Sequence, residues 1–208
     1  MKVLLLNGSP RGEMCTYTAL TEAAGALQAC GIETEIFSIG KKPIAGCIGC
    51  GACRNAGKCV FGDADGVNAF VEKARQADGF IFGAPVHYAS IAGAASAFLD
   101  RCFYSGADAF VFKPGAAVVS CRRAGSTAAL DQLNKYFTIN QMPVVSSRYW
   151  NMVHGSCPED VQKDEEGMAV IRQLGHNMAW LLKSIEAGRA AGLADPAQEP
   201  PARTNFIR

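Results

Sequence analysis

Cys47, Cys50, Cys53 and Cys59 follow one another in the pattern C-x2-C-x2-C-x5-C. Each two-residue spacer turns successive sulfurs toward a common centre, and the longer last spacer lets the fourth return to close a cage. Such a cage asks for a metal. Structural zinc ordinarily takes two separated knuckles, one C-x2-C pair from each. Three consecutive cysteines with a fourth close behind suit a larger inorganic core instead, and since no second run exists, one 4Fe-4S cluster is the economical reading. A zinc-clamped loop and four thiols without metal are the alternatives. Gly46, Gly49, Gly51, Ala52 and Gly57 separate the sulfurs; their small size lets backbone N–H groups approach a cluster and tune it.

A second chemical segment runs from Asn7 to Thr18, directly after the first apolar run and into a helical pattern carrying Ala19, Leu20 and Leu27. A helix N-terminus offers unpaired N–H groups and a partial positive charge, so an anion belongs there. Ser9, Thr16 and Thr18 add hydroxyls, and Arg11 adds a cation. The segment is neither a Gly-Lys-Ser/Thr triphosphate loop nor G-x-G-x-x-G. It suits a terminal monophosphate: FMN, another phosphate ester or a free anion.

These segments need a scaffold. Short apolar runs without alternation recur at Val3 to Leu6, Gly79 to Phe82, Ala116 to Val119, and Val144 with Val145, as expected of strands covered on both faces. Ile32 to Phe37 alternates and reads as an edge strand. Helical periodicity fills the gaps: Val67, Phe70, Val71 and Ala74; Ile91 to Phe103; Thr127 to Phe137; and the stripe Ile171, Leu174, Met178, Leu181 and Ile185. The alternation predicts an α/β fold, a five-stranded parallel sheet with helices on both faces, whose ligand crevice opens at the carboxyl ends of strands one, three and four.

The 208 residues suit one such domain over 1–188, with the cysteine-rich loop at 46–60 and an alanine- and proline-rich tail at 189–208. Phe206 and Ile207 in that tail are apolar enough to dock on a neighbouring subunit. Twenty Lys and Arg against 19 Asp and Glu give a net charge of +1, which recruits neither nucleic acid nor a charged membrane. The first apolar run is too short for a signal peptide, so a cytoplasmic setting is expected. Nine cysteines without an export signal argue for reduced thiols and ligation. Cys30, Cys102 and Cys121 read as small buried hydrophobes.

Gly8-Ser9-Pro10-Arg11, with Thr16 and Leu20 at their spacing, resembles the phosphate loop of flavodoxin-like NAD(P)H-dependent FMN reductases. Ala84 to Gly93, continuing to Phe98-Leu99-Asp100-Arg101, resembles that family's second flavin loop and the helix behind it. The cysteine run resembles that of the iron–sulfur flavoproteins, a branch of the family. Met14-Cys15 departs from the Gly-Asn or Gly-Ser often found there. The resemblance implies a flavodoxin-like strand order 2-1-3-4-5 with FMN across the strand ends. Ser9, Arg11, Thr16 and Thr18 would then hold the phosphate. Pro85, Val86, His87, Tyr88 and Ser90 would wrap the ribityl chain and one ring edge, and the loop Cys121 to Gly125 the other.

Within that frame, Arg122 or Arg123 would stabilise anionic reduced flavin. His87 would donate to the ring or protonate a substrate, and Tyr149, Trp150, Asn151 and His154, after strand five, would form an aromatic lid. The resemblance implies an FMN-dependent oxidoreductase taking electrons from NAD(P)H or ferredoxin and passing them to a quinone, nitro or azo compound or a carrier, as a homodimer or homotetramer. The competing expectations are a non-catalytic electron-transfer module and a scaffold with zinc in the cage.

Overall fold

The computed structural model describes residues 1–202, 204 and 206. Strand β1 (Lys2–Asn7) leads through the Ser9 loop into α1 (Cys15–Ala29) and β2 (Glu33–Ser38). The cysteine-rich loop, which contains the single turn α2 (Cys53–Ala56), precedes α3 (Val67–Arg75) and β3 (Gly79–His87). A two-residue strand β4 (Ser90–Ile91), α4 (Gly93–Gly106), β5 (Gly115–Cys121), α5 (Ser126–Ile139), β6 (Met152–His154), α6 (Pro158–Lys163) and α7 (Glu165–Ala190) complete the chain.

The main sheet runs β2-β1-β3-β5-β6, every pair parallel, and β4 turns back antiparallel on the end of β3. The expected spatial order of five parallel strands therefore holds, with one short hairpin strand added. Because both faces are covered, successive residues of β1 serve different cores: Leu4 and Leu6 join Phe70, Phe82 and Phe98 beneath α3 and α4, while Val3 and Leu5 join Leu20, Leu27 and Leu174 beneath α1 and α7.

The fifth strand is corrected. Val144 makes only an isolated bridge to Gly115, supported by Gly115 N to Pro143 O at 2.9 Å and Val145 N to Gly115 O at 2.8 Å. The chain then leaves the sheet and rejoins it as β6, which pairs with Val119, Ser120 and Cys121. Asn151 causes the break: its side chain donates to Ala117 O at 3.0 Å while its own carbonyl accepts from Val119 N at 3.0 Å. A side chain thus substitutes for ladder backbone between the two pieces. Tyr149 and Trp150 consequently lie before β6, in the gap, and not after the last strand.

Helix α7 continues to Ala190, two residues into the stretch read as tail. Phe206 is exposed, and Ile207 lies outside the described residues. No described helix is long and apolar enough to cross a membrane.

Candidate functional site

A cleft of about 230 Å³ opens where β1, β3, β5 and β6 end. One wall is the loop after β1. Buried Asn7 organises it: Oδ1 accepts from Ser9 N at 3.1 Å, and Nδ2 donates to Gly12 O at 3.0 Å and to Ser38 Oγ at 3.2 Å. Ser9 Oγ accepts from Arg11 N at 3.2 Å. Gly8 N donates to Gly83 O at 2.8 Å, an approach so close that an added Cβ would stand 2.8 Å from both that oxygen and Ala95 Cβ. Met14, just before helix α1, supplies no side-chain cap, and no acidic residue stands in the first turn. The helix's leading N–H groups are thereby left for an anion.

Ser9, Arg11 and Thr16 all line this cleft. Thr18 does not; its hydroxyl reaches back to Met14 O at 3.2 Å, within its own helix. Thr16 is buried, with Oγ1 2.8 Å from Ser120 Oγ on β5. Pro85, Val86 and His87 supply the β3 wall and Arg122 the β5 wall. Tyr88, Ser90, Arg123 and Gly125 stand outside the lining. Ser90 Oγ contacts Gln132 Oε1 at 2.6 Å, and Tyr88 is fully exposed at a hairpin turn where it and Ala89 take φ of 51° and 58°. Gly125, at φ 85°, lets the loop after β5 close onto that turn: a Cβ there would sit 2.7 Å from Ala89 Cα. The structure therefore separates the two arginines that the sequence left equivalent.

Cys15 and Cys121 also line the cleft. Burial pushes both thiols up, so they stay protonated and neutral near pH 7. Cys102 is buried as expected, but Cys30 is only half-buried, with Sγ 3.5 Å from His176 Nδ1. His154 lies at the end of β6, its Nδ1 3.4 Å from Asp164 Oδ2; with Tyr149 and Trp150 it lines a separate depression and not the cleft.

Cys47, Cys50, Cys53 and Cys59 line one pocket, which shares no residue with the cleft. Among the described residues, no three His, Cys, Asp or Glu side chains are gathered closely enough to hold a single ion. The donor set nevertheless fits a metal centre: four free thiols on one wall, carried by a loop whose Gly49, Gly51 and Gly57 adopt φ of 65°, 69° and 66°. The pocket's other wall is α4, which presents Arg101, Tyr104 and Ser105 at helical spacing. Tyr104 O accepts from Cys53 Sγ at 3.4 Å.

Cys59 is clamped most fully. Asn68 on α3 accepts from its N at 2.9 Å and donates to its O at 3.0 Å, and Arg101 Nε donates to its Sγ at 3.2 Å. Sequence reading missed the roles of Asn68 and Arg101. A polar residue on the otherwise apolar face of α3 was the available signal for Asn68.

A model of NADPH-dependent FMN reductases matches residues 1–156. An iron-sulfur flavoprotein of Methanocaldococcus jannaschii is 33% identical over 194 residues, 89% of this chain and 100% of that protein. Among solved structures, RosB with bound 8-demethyl-8-formylriboflavin-5'-phosphate is similar at a TM-score of 0.68 and 15% identity, covering 100% of this chain and 93% of that one. A flavodoxin from the domain Archaea reaches 0.58 at 15% identity, over 88% and 99% of the two chains. At these identities the structures speak for the fold alone, which is flavodoxin-like.

Proposed function

The chain belongs to the NADPH-dependent FMN reductase family, and from that premise we propose that it is an FMN-dependent oxidoreductase of the iron–sulfur flavoprotein kind. The observation that carries the second half is the pocket: all four cysteines of the run line it, apart from the cleft. A polynuclear core takes one thiolate per iron, so its ligands stand farther apart than those around a single ion. When bound, FMN supplies two-electron exchange and a 4Fe-4S cluster supplies one-electron steps.

The chain's own residues bind and orient. The uncapped start of α1, with Ser9, Arg11 and Thr16, receives the phosphate. Pro85, Val86 and His87 form an apolar-to-polar ledge along the ring, and Arg122 brings a cation to the opposite side. Neutral Cys15 and Cys121 fill the floor without adding charge. Cys47, Cys50, Cys53 and Cys59 ligate the iron. Electrons enter from NAD(P)H or ferredoxin and leave to a quinone, a nitro or azo compound or a protein carrier, in a homo-oligomer.

Anaerobic purification with iron, sulfide and FMN analysis tests this. About four irons and four sulfides per FMN are expected, with bleaching of the flavin by NADH or NADPH and reoxidation by a quinone. Zinc without acid-labile sulfide would overturn the cluster. Reduction by ferredoxin alone, with no reoxidation by a quinone, nitro or azo compound, would replace the enzyme with an electron carrier.

A further inference from the structure

Arg101 is 1% exposed, the largest fully buried side chain among the described residues. A buried guanidinium is costly unless every edge is paired. Asp65 takes both Nη groups, with Nη2 3.4 Å from Oδ1, and Nη1 also donates to Ala45 O at 3.3 Å. The Phe61 ring covers the guanidinium, 5.0 Å from its centroid to Cζ. Asp65 already supplies the counter-charge, and the rigid fork then leaves Nε facing Cys59 Sγ at 3.2 Å.

Resting on the cluster reading above, we propose that Arg101 is a positioning residue for the ligand Cys59, and that the Arg101–Asp65 pair sets the reduction potential of the cluster. The pair is a dipole with its positive end on a ligand sulfur. One-electron reduction adds negative charge to the iron–sulfur core, and both the N–H donor and the cation favour the more negative state. The arginine therefore raises the potential, and the aspartate, by neutralising it, moderates the rise. Its backbone held by Asn68 and its sulfur by Arg101, Cys59 is fixed from two helices before any iron arrives.

The pair makes opposite-signed predictions that a merely structural role does not. In anaerobically reconstituted holoprotein, Asp65→Asn leaves the cation unneutralised, so the midpoint potential of the cluster rises. Arg101→Leu combined with Asp65→Asn removes both charges and the donor, so the potential falls and a ferrous chelator strips iron several-fold faster than from wild type. Arg101→Lys keeps a cation but gives up the fork, so its chelation rate lies between. FMN content, unchanged in all three, reports that the sheet and the cleft are intact, and an unchanged far-UV circular dichroism spectrum reports that the helices are.

Potentials that move in the same direction in the first two variants, or stay at the wild-type value with unaltered chelation, overturn the inference alone. Wild-type protein that takes up neither iron nor sulfide overturns the cluster reading and the inference with it.

Discussion

Thr16 Oγ1 and Ser120 Oγ lie 2.8 Å apart in the buried floor of the cleft, tying the first turn of α1 to the end of β5. Two hydroxyls sharing one hydrogen bond leave one O–H free, and its direction is fixed by the partner. Under the proposed function that spare proton serves a phosphate oxygen. Thr16→Val breaks the pair, and with it the fixed direction of that proton, with little change in shape. A hydrogen bond to a charged group contributes about 1.5–3 kcal/mol, so FMN affinity should fall roughly 10–100-fold. Riboflavin, which lacks the phosphate, should bind the variant as it binds wild type. Titration by flavin fluorescence quenching measures both.

Gly8→Ala tests the close approach of the loop to β3. The added methyl carbon would meet Gly83 O and Ala95 Cβ, each at 2.8 Å. The oxygen is backbone in a central strand and has no room to retreat. Overpacking of this kind costs about 1–3 kcal/mol, which for a chain of this length lowers Tm by roughly 2–12 °C. FMN binding should weaken as well, because the Ser9 and Arg11 amides shift with the loop. Thermal melts of apoprotein separate the two effects.

A pH-dependent contribution sits on the sheet edge. Lys2 Nζ and Lys73 Nζ lie 2.7 and 2.6 Å from the Glu35 carboxylate, and these bonds hold its pKa below the ordinary 4.5. A depressed folded-state pKa adds stability that is present above the ordinary value and lost as pH falls through the lowered one. Partly exposed pairs contribute about 0.2–1 kcal/mol each. Glu35→Gln should lower Tm by roughly 1–8 °C at pH 7, and the difference should shrink as pH falls below 4.5 and vanish once the lowered folded-state pKa has been passed.

The layers were legible because a strand buried on both faces must be apolar at every position, as Val3 to Leu6 and Phe80 to Phe82 are. The split strand was not. Pro143–Val145 and Met152–His154 are each too short to carry a pattern, and their register depends on Asn151 bonding to Ala117 and Val119, a relation across 34 residues. Likewise, local spacing revealed the cysteine run, while its clamps come from helices that only folding brings near: Asn68 from nine residues away and Arg101 from 42. Thr18 shows the opposite error. Its hydroxyl suited a phosphate by type, but helical periodicity carried it one turn inward, onto Met14 O.

Arg122 and Arg123 are adjacent and both exposed, yet only Arg122 lines the cleft. A cation beside the flavin stabilises its anionic reduced form more than its neutral oxidised form, so it raises the potential. Arg122→Ala should therefore lower the midpoint potential of bound FMN, and Arg123→Ala should leave it at the wild-type value. Because Arg122 is exposed, its contribution is screened by ions. The gap between wild type and Arg122→Ala should narrow as ionic strength rises from 0.01 to about 1 M, where the Debye length falls from about 30 to 3 Å. Spectroelectrochemical titration at the two salt concentrations measures this. A gap indifferent to salt would mean that the side chain acts by packing against the ring and not by its charge.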